Sequence, residues 1–158
     1  MTATYDCIAT TTTASSAASV TFSSIPSTYT DLFCVMNFSL SGNNEVLFNF
    51  NGDTAANYSR TYFEGNGSTA SSARQSSTNH IFMLGRSSQM VNLVSINNYS
   101  NSTTYKTLLA RFSSGQGIVG AEVGLWRSTA AINQIVISLN TGTFTNGSVI
   151  SLYGIKAE

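Results

Sequence analysis

Strict alternation of apolar and polar residues, broken by short runs of Gly and Asn, is the feature that most constrains this chain. In DLFCVMNFSL every second residue from Leu32 onward is hydrophobic, and in EVLFNF the same holds for Val46, Phe48 and Phe50. A period of two is typical of strands that bury one face. The segments SGNN, EGNGS, SSGQG and NTGTFTNGS, which separate such runs, are rich in turn-forming residues.

The alternation predicts about ten short strands in an all-β fold. We expect a single antiparallel β-sandwich of jelly-roll-like order over residues 1–158. The closing segment VISLYGI reads as core sequence, so we expect this last strand to be tied into a sheet near the first strand. Besides the two runs above, strands are predicted near residues 5–10, 20–22, 59–64, 80–84, 91–96, 105–112, 118–126, 132–139 and 148–155.

Three segments interrupt the strand pattern. Residues 10–19 (TTTTASSAAS) are expected to be an exposed linker, and residues 68–78 (STASSARQSST) the longest loop. The segment DTAANYSRTYF favours about one helical turn before its β-branched and aromatic residues end it. The single proline, Pro26, marks the loop that leads into the long third strand.

The low charge of the chain favours a protein that functions within an assembly. Only 9% of residues are charged, against about 25% in ordinary soluble domains, and seven basic residues balance seven acidic ones. Ser and Thr supply 45 of the 158 residues, so hydroxyl groups dominate the polar surface. A net charge of zero favours association, although a chain can also simply tolerate it.

Several partners are not expected. The basic residues are scattered singly, which predicts no nucleic-acid partner. No apolar run approaches the ~20 residues of a membrane span, and the first residues lack the pattern of a signal peptide. We therefore expect a protein made in a cytoplasm that stays there or leaves by lysis or within a particle.

Catalytic and metal-binding patterns are also lacking, and we predict no enzyme activity and no cofactor. The one histidine, His80, is expected to pack or cap at a strand start. Asp53 and Glu64 are the only acids near plausible loops for a glycosidase pair, and nothing in the sequence brings them together. NFNGDTAANYS lacks the far acid of a calcium loop, which favours a turn with side-chain bonds. Cys7 and Cys34 form no metal motif, and their pairing stays open.

Carbohydrate binding is the serious alternative to assembly. Exposed aromatic side chains stack on sugar rings, and amides and acids bond sugar hydroxyls. The Asn-rich loops supply amides, but the same aromatic residues are ordinary in a sandwich. The candidate aromatic residues are Tyr58, Tyr62, Tyr99, Tyr105 and Trp126.

One predicted strand, in GIVGAEVGLWR, carries two contrasting faces. Val119, Ala121, Val123 and Leu125 form an apolar face, and Ile118, Gly120, Glu122, Gly124 and Trp126 form the other. Glycines inside a strand mark close approach of a neighbour. That neighbour is either an aromatic ring of the same subunit or another subunit anchored on Trp126, a residue type enriched at interfaces.

Five short segments resemble small β-rich virion structural proteins of tailed phages that infect cyanobacteria and other aquatic bacteria. They are SSIPSTYTDL (23–32), FNGDTAANYS (50–59), YKTLLARF (105–112), GLWRSTAAI (124–132) and SLYGIKA (151–157). The resemblance extends over most of the chain, and its matched positions are turns and strand residues. It therefore implies a fold and a virion role, of head-decoration, fibre or tail type, without catalytic residues.

From this resemblance we expect a capsid decoration (cement) protein on the head surface of the virion. Its partners would be the major capsid protein and further copies of itself, with a homotrimer favoured because local threefold positions suit an icosahedral shell. A tail- or fibre-associated domain that recognises host-surface glycans is the alternative. The residues expected to make subunit or capsid contacts are Thr2, Ala3, Thr4, Tyr5, Pro26, Glu122 and Trp126.

Overall fold

A computed structural model describes residues 4–156, and twelve strands account for most of them. No helix occurs in that range, so none is available there that is long and apolar enough to cross a membrane. The strands in chain order are β1 (Tyr5–Thr12), β2 (Ser19–Phe22), β3 (Asp31–Phe38), β4 (Glu45–Phe50), β5 (Tyr58–Gly65), β6 (Ala70–Thr78), β7 (Ile81–Leu84), β8 (Met90–Asn97), β9 (Lys106–Ser114), β10 (Val119–Trp126), β11 (Ile135–Leu139) and β12 (Val149–Ile155).

The strands form two antiparallel sheets that pack face to face. The first has eight strands in the order β1-β12-β3-β8-β9-β10-β5-β6, and the second has four in the order β2-β11-β4-β7. The four-strand orders β1-β12-β3-β8 and β2-β11-β4-β7 together are those of an eight-stranded jelly roll. The predicted all-β sandwich of jelly-roll-like order is confirmed, and so is the pairing of the last strand with the first.

Two hairpins are inserted into this jelly roll. One consists of β5 and β6, between β4 and β7, and the other of β9 and β10, between β8 and β11. Both join the first sheet beyond β8 and pair with each other through β10 and β5. The larger sheet therefore extends past the smaller one, and its far end carries surfaces that the jelly roll itself does not cover.

The core lies between the two sheets, and the alternating segments supply it as predicted. Leu32, Cys34 and Met36 of β3 are fully buried, and they belong to the same hydrophobic core as Val46 and Phe48 of β4. Burying one such side chain stabilises the fold by about 1.5–3 kcal/mol. Period-two alternation is enough to specify which face of these strands turns inward.

Three expectations about irregular segments are corrected. Residues 70–78, predicted as part of the longest loop, form the edge strand β6, which is exposed on both faces and pairs only with β5. The predicted helical turn is instead a turn followed by β5, which begins at Tyr58. The expected linker over residues 10–19 still belongs to β1 up to Thr12. These hydroxyl-rich segments form strands because their backbone N–H and C=O groups pair with those of the neighbouring strand.

The two cysteines do not pair. Cys7 is exposed on β1 and Cys34 is buried in the core, and both thiols are free. Burial raises the pKa of the Cys34 thiol to about 12, so it stays protonated and acts as a small apolar side chain.

Strand β10 is oriented so that its more apolar face points to solvent, which the alternation of its sequence does not predict. Gly120, Glu122 and Trp126 face the core side, whereas Val119 and Val123 are exposed. The glycines make room within the same chain. A Cβ on Gly120 would meet the Phe112 ring, and one on Gly124 would meet the Ile81 side chain of the second sheet. The predicted close approach at these glycines is an intrasubunit one.

Gly120→Ala should therefore destabilise the fold by about 1–3 kcal/mol, the usual cost of overpacking. The added Cβ would lie 2.5 Å from Phe112 Cζ and still closer to the backbone oxygen of Phe63. Urea unfolding measures the change. Gly65→Ala is the matched control, since it lies in the same β5–β10 ladder and its new Cβ would approach nothing closer than 3.6 Å. Equal stability of the two variants would contradict the close packing.

Candidate functional site

Trp126, the expected contact anchor, is a core residue. Its side chain is 2% exposed; the ring stacks on Tyr58 and lies 5.5 Å from Phe50. Its Nε1–H donates to Asp53 Oδ2 at 2.7 Å. Glu122 is also 2% exposed. The expectation that these two side chains form an exterior contact is corrected, because neither is accessible to another chain.

The carboxylate of Asp53 holds a turn together. It accepts hydrogen bonds from Ala55 N, Asn57 Nδ2 and Trp126 Nε1. Burial raises the pKa of Asp53, but these hydrogen bonds outweigh it and hold the pKa below its usual range. The expected turn with side-chain bonds is confirmed. Within residues 4–156 no cluster of three or more His, Cys, Asp or Glu side chains is placed to hold a metal ion.

Trp126→Ala should destabilise the protein by about 3–5 kcal/mol, the usual cost of emptying a large aromatic site. It removes both the packing on Tyr58 and one of the three donors to Asp53. Chemical unfolding measures the loss. Tyr105→Ala is the control, because Tyr105 is exposed and such changes usually stay within about 0.5 kcal/mol. A Trp126→Ala protein as stable as the control would show that the indole is dispensable for packing.

The remaining predicted contact residues gather near one end of the first sheet. Thr4 and Tyr5 are exposed at the start of β1, and the backbone oxygen of Thr4 accepts from Lys156 N. Pro26 is exposed in the loop that ends at Thr30, and Thr30 donates to the oxygen of Ile155. Both segments thus flank the end of β12. Thr2 and Ala3 lie outside the described residues.

An exposed apolar surface lies on part of the outward side of the inserted hairpins, next to the exposed side chain of Arg111, which pairs opposite Ala121. We define the outer apolar face as Phe63, Leu109, Val119, Ala121 and Val123. Cross-strand pairing places Leu109 opposite Val123, and Ala121 opposite Phe63. Phe63 is 64% exposed and Val119 58%. The apolar half of β10 is therefore its solvent side.

A polar cleft occupies the opposite, inward side of the same hairpins. It lies where β5 extends past the edge of the second sheet, and its volume is about 270 Å³. We call it the inter-sheet cleft. The residues that line it are Asn43, Asn44, Glu45, Arg60, Tyr62, Glu64, Met83, Leu84, Arg86, Phe112, Glu122 and Asn140.

Arg60 organises the inter-sheet cleft. Its guanidinium donates from Nε to Gln75 Oε1 and from Nη1 to the oxygen of Phe82, each at 2.8 Å. The same group lies 3.6 Å from Glu45 Oε1 and 3.5 Å from Glu122 Oε2. With these contacts on both sheets, Arg60 fixes the position of two carboxylates on either side of the cleft.

Glu122 is the least satisfied group of the inter-sheet cleft. Oε2 contacts Arg60, whereas Oε1 is buried and has no hydrogen-bond partner among the described residues. Burial raises the pKa of Glu122 to about 8, and the nearby Arg60 charge only partly offsets this rise. The sequence could not reveal this, because Glu122 meets Arg60 only through the pairing of β10 with β5.

The carboxyl group of Glu122 makes stability depend on pH. Because the folded-state pKa lies above the ordinary value of 4.5, its contribution is fully present below about pH 4.5 and is lost as the pH rises through about 8. We expect the melting temperature of Glu122→Gln, relative to the unmodified protein, to rise between those two pH values. Thermal unfolding measures it, with Glu64→Gln, a partly exposed neighbour, as control. A difference that is constant with pH would contradict the raised pKa.

The aromatic residues proposed for sugar stacking do not gather at one exposed site. Tyr58 and Tyr99 are fully buried with Trp126 in the core, and Tyr105 is exposed away from the cleft. Only Tyr62 borders the inter-sheet cleft, and the Arg60 guanidinium lies 4.7 Å from its ring centre. His80 packs edge-on against Phe82, as expected for a structural histidine.

Comparisons with known proteins place this chain in no family. No protein-family model and no curated protein matches it. Among solved structures it is similar to an exo-inulinase from Aspergillus awamori, with a TM-score of 0.48 and 11% identity over 96% of this chain and 29% of that one. It is also similar to the Caenorhabditis elegans galectin LEC-6, with a TM-score of 0.37 and 8% identity over 89% and 94% of the two chains. The chain spans less than a third of the inulinase, and neither likeness is close enough to carry an argument.

Proposed function

We propose that this chain is a non-enzymatic structural protein of a phage virion, a head-decoration protein that binds the outer surface of the capsid shell. The observation that carries the proposal is the outer apolar face. Contiguous apolar surface of this kind marks contact sites when it is exposed on an isolated chain. The low charge of the chain is consistent with permanent contacts.

A second copy of the chain is the occupant we assign to the outer apolar face. Copies of this protein carry no net charge, so no long-range repulsion opposes their association. The contact fits the homotrimer expected for a threefold position on a shell. The end of the first sheet that holds Thr4, Tyr5 and Pro26 is then left for the major capsid protein. Repetition over a shell multiplies weak contacts through avidity.

The jelly roll is compatible with this role but does not establish it. Jelly rolls occur in viral capsid proteins and in lectins, and a fold by itself does not imply a function. The alternative of a tail- or fibre-associated domain that recognises host glycans predicts a ligand site. It does not by itself require the outer apolar face to be covered by another copy.

Light scattering, followed by sedimentation with empty head shells of the phage that encodes the chain, tests the proposal. We expect about three times the chain mass of 16.8 kDa and stoichiometric pelleting with the shells. Val123→Lys should reduce the mass to that of one chain, because it places a charge in the outer apolar face. A monomeric chain that stays in the supernatant would overturn the proposal.

Asn146→Lys is the matched control for this experiment. It adds the same charge at an exposed turn position away from the outer apolar face. The control should assemble and pellet like the unmodified protein. Val123→Lys with unchanged mass would show that the outer apolar face is not the contact between copies.

A further inference from the structure

The polar lining of the inter-sheet cleft calls for a ligand that the proposed assembly role does not use. We propose that this cleft binds one ring of a neutral sugar through adjacent hydroxyl groups. The inference goes beyond the structural role and does not rest on it, because the cleft lies on the inward side of β5 and β10 and the outer apolar face lies on the other.

The size of the cleft suits a small ligand. Its volume of about 270 Å³ lies just below the range of pockets for drug-sized molecules, which run from about 300 to 1,000 Å³. One sugar ring fits such a space, with the rest of a longer glycan left outside. Leu84, a partly exposed apolar residue of the lining, suits the C–H groups of a ring.

The charges of the lining favour a neutral ligand. Two basic residues, Arg60 and Arg86, and two acidic residues, Glu45 and Glu64, line the same space. A ligand with a full charge of either sign would meet like charges on at least one side. A hydroxyl group both donates and accepts, so neighbouring hydroxyls can bond a carboxylate and a guanidinium at the same time.

Two amides add donors to this lining. The side-chain oxygen of Asn140 accepts from Glu45 N, and that of Asn43 accepts from Ser87 N. These bonds fix which way each amide points. The N–H groups of both side chains have no acceptor within the described part of the chain, and they are available to ligand oxygens.

The buried carboxyl group of Glu122 is a second observation that favours a polar ligand, independent of the polar side chains named above. Its side chain is 1% exposed, it lines the cleft, and its Oε1 has no partner among residues 4–156. A buried polar atom without a partner destabilises the folded state. A ligand hydroxyl that reached this oxygen through a small shift of the lining would supply the missing partner, which an apolar ligand could not do.

Saturation-transfer NMR on the full chain tests this proposal with methyl α-glucoside, methyl α-mannoside and methyl β-galactoside. These sugars differ in the orientation of the hydroxyls at C2 and C4, so they sample the common arrangements of adjacent hydroxyls. We expect saturation transfer to at least one sugar. Arg86→Gln and Glu64→Gln should each weaken binding about tenfold, the value of one hydrogen bond to a charged group.

Arg74→Gln is the matched control, because Arg74 is an exposed arginine of β6 that does not line the cleft. It should bind like the unmodified protein, and equal melting temperatures should show that all variants are folded. Absence of transfer to all three sugars overturns the proposal. So does binding that Arg86→Gln and Glu64→Gln leave unchanged, or that Arg74→Gln weakens equally. Assembly on shells is measured separately, so either proposal can fail alone.

Discussion

The pairing of β12 with β1 on one side and β3 on the other is the interaction on which this jelly roll depends. It places Tyr5 opposite Ile155, and Cys34 opposite Leu152, residues far apart along the chain. Such pairs form only after a large loss of chain entropy, which later burial must offset. The fully buried side chains of Ile150 and Leu152 contribute to that compensation. For this reason β12 has the apolar character of a core strand.

The two inserted hairpins give the molecule surfaces that a plain jelly roll lacks. Alternate residues of β10 serve opposite purposes: Val123 points to the outer apolar face, and Glu122 points to the inter-sheet cleft. A change at one position therefore need not disturb the other surface. The proposed assembly contact and the proposed sugar site are separated by the thickness of one sheet, and the same hydrogen-bonded ladder holds both in place.

Periodicity predicted the fold well wherever one face of a strand is buried. In β3 and β4 the apolar residues are the buried ones, and the many short strands predicted a sandwich of jelly-roll-like type. It failed for β6, because a strand exposed on both faces has no apolar alternation to detect.

Long-range partners account for what the sequence could not predict in the candidate sites. Alternation in β10 defines two faces but not which one turns inward. That choice depends on Phe112 and Ile81, which fill the space at the glycines, and on Arg60, which meets Glu122. Trp126 was predicted as an interface anchor from its residue type, and its real partner, Asp53, lies 73 positions away in the chain, where no local pattern reveals it. Neither the outer apolar face nor the inter-sheet cleft is visible before these contacts are known.

The position of the hairpins has a consequence for how such a protein can change over time. Both are insertions between jelly-roll strands, and neither interrupts the orders β1-β12-β3-β8 and β2-β11-β4-β7. Exchanging them with hairpins from another jelly roll would replace the outer apolar face and one wall of the inter-sheet cleft. The framework pairing would persist if the new hairpins also filled the core positions of Tyr58 and Trp126. The chain is in this sense modular, with a framework that selection can hold constant while partner and ligand preferences diverge on the grafted strands.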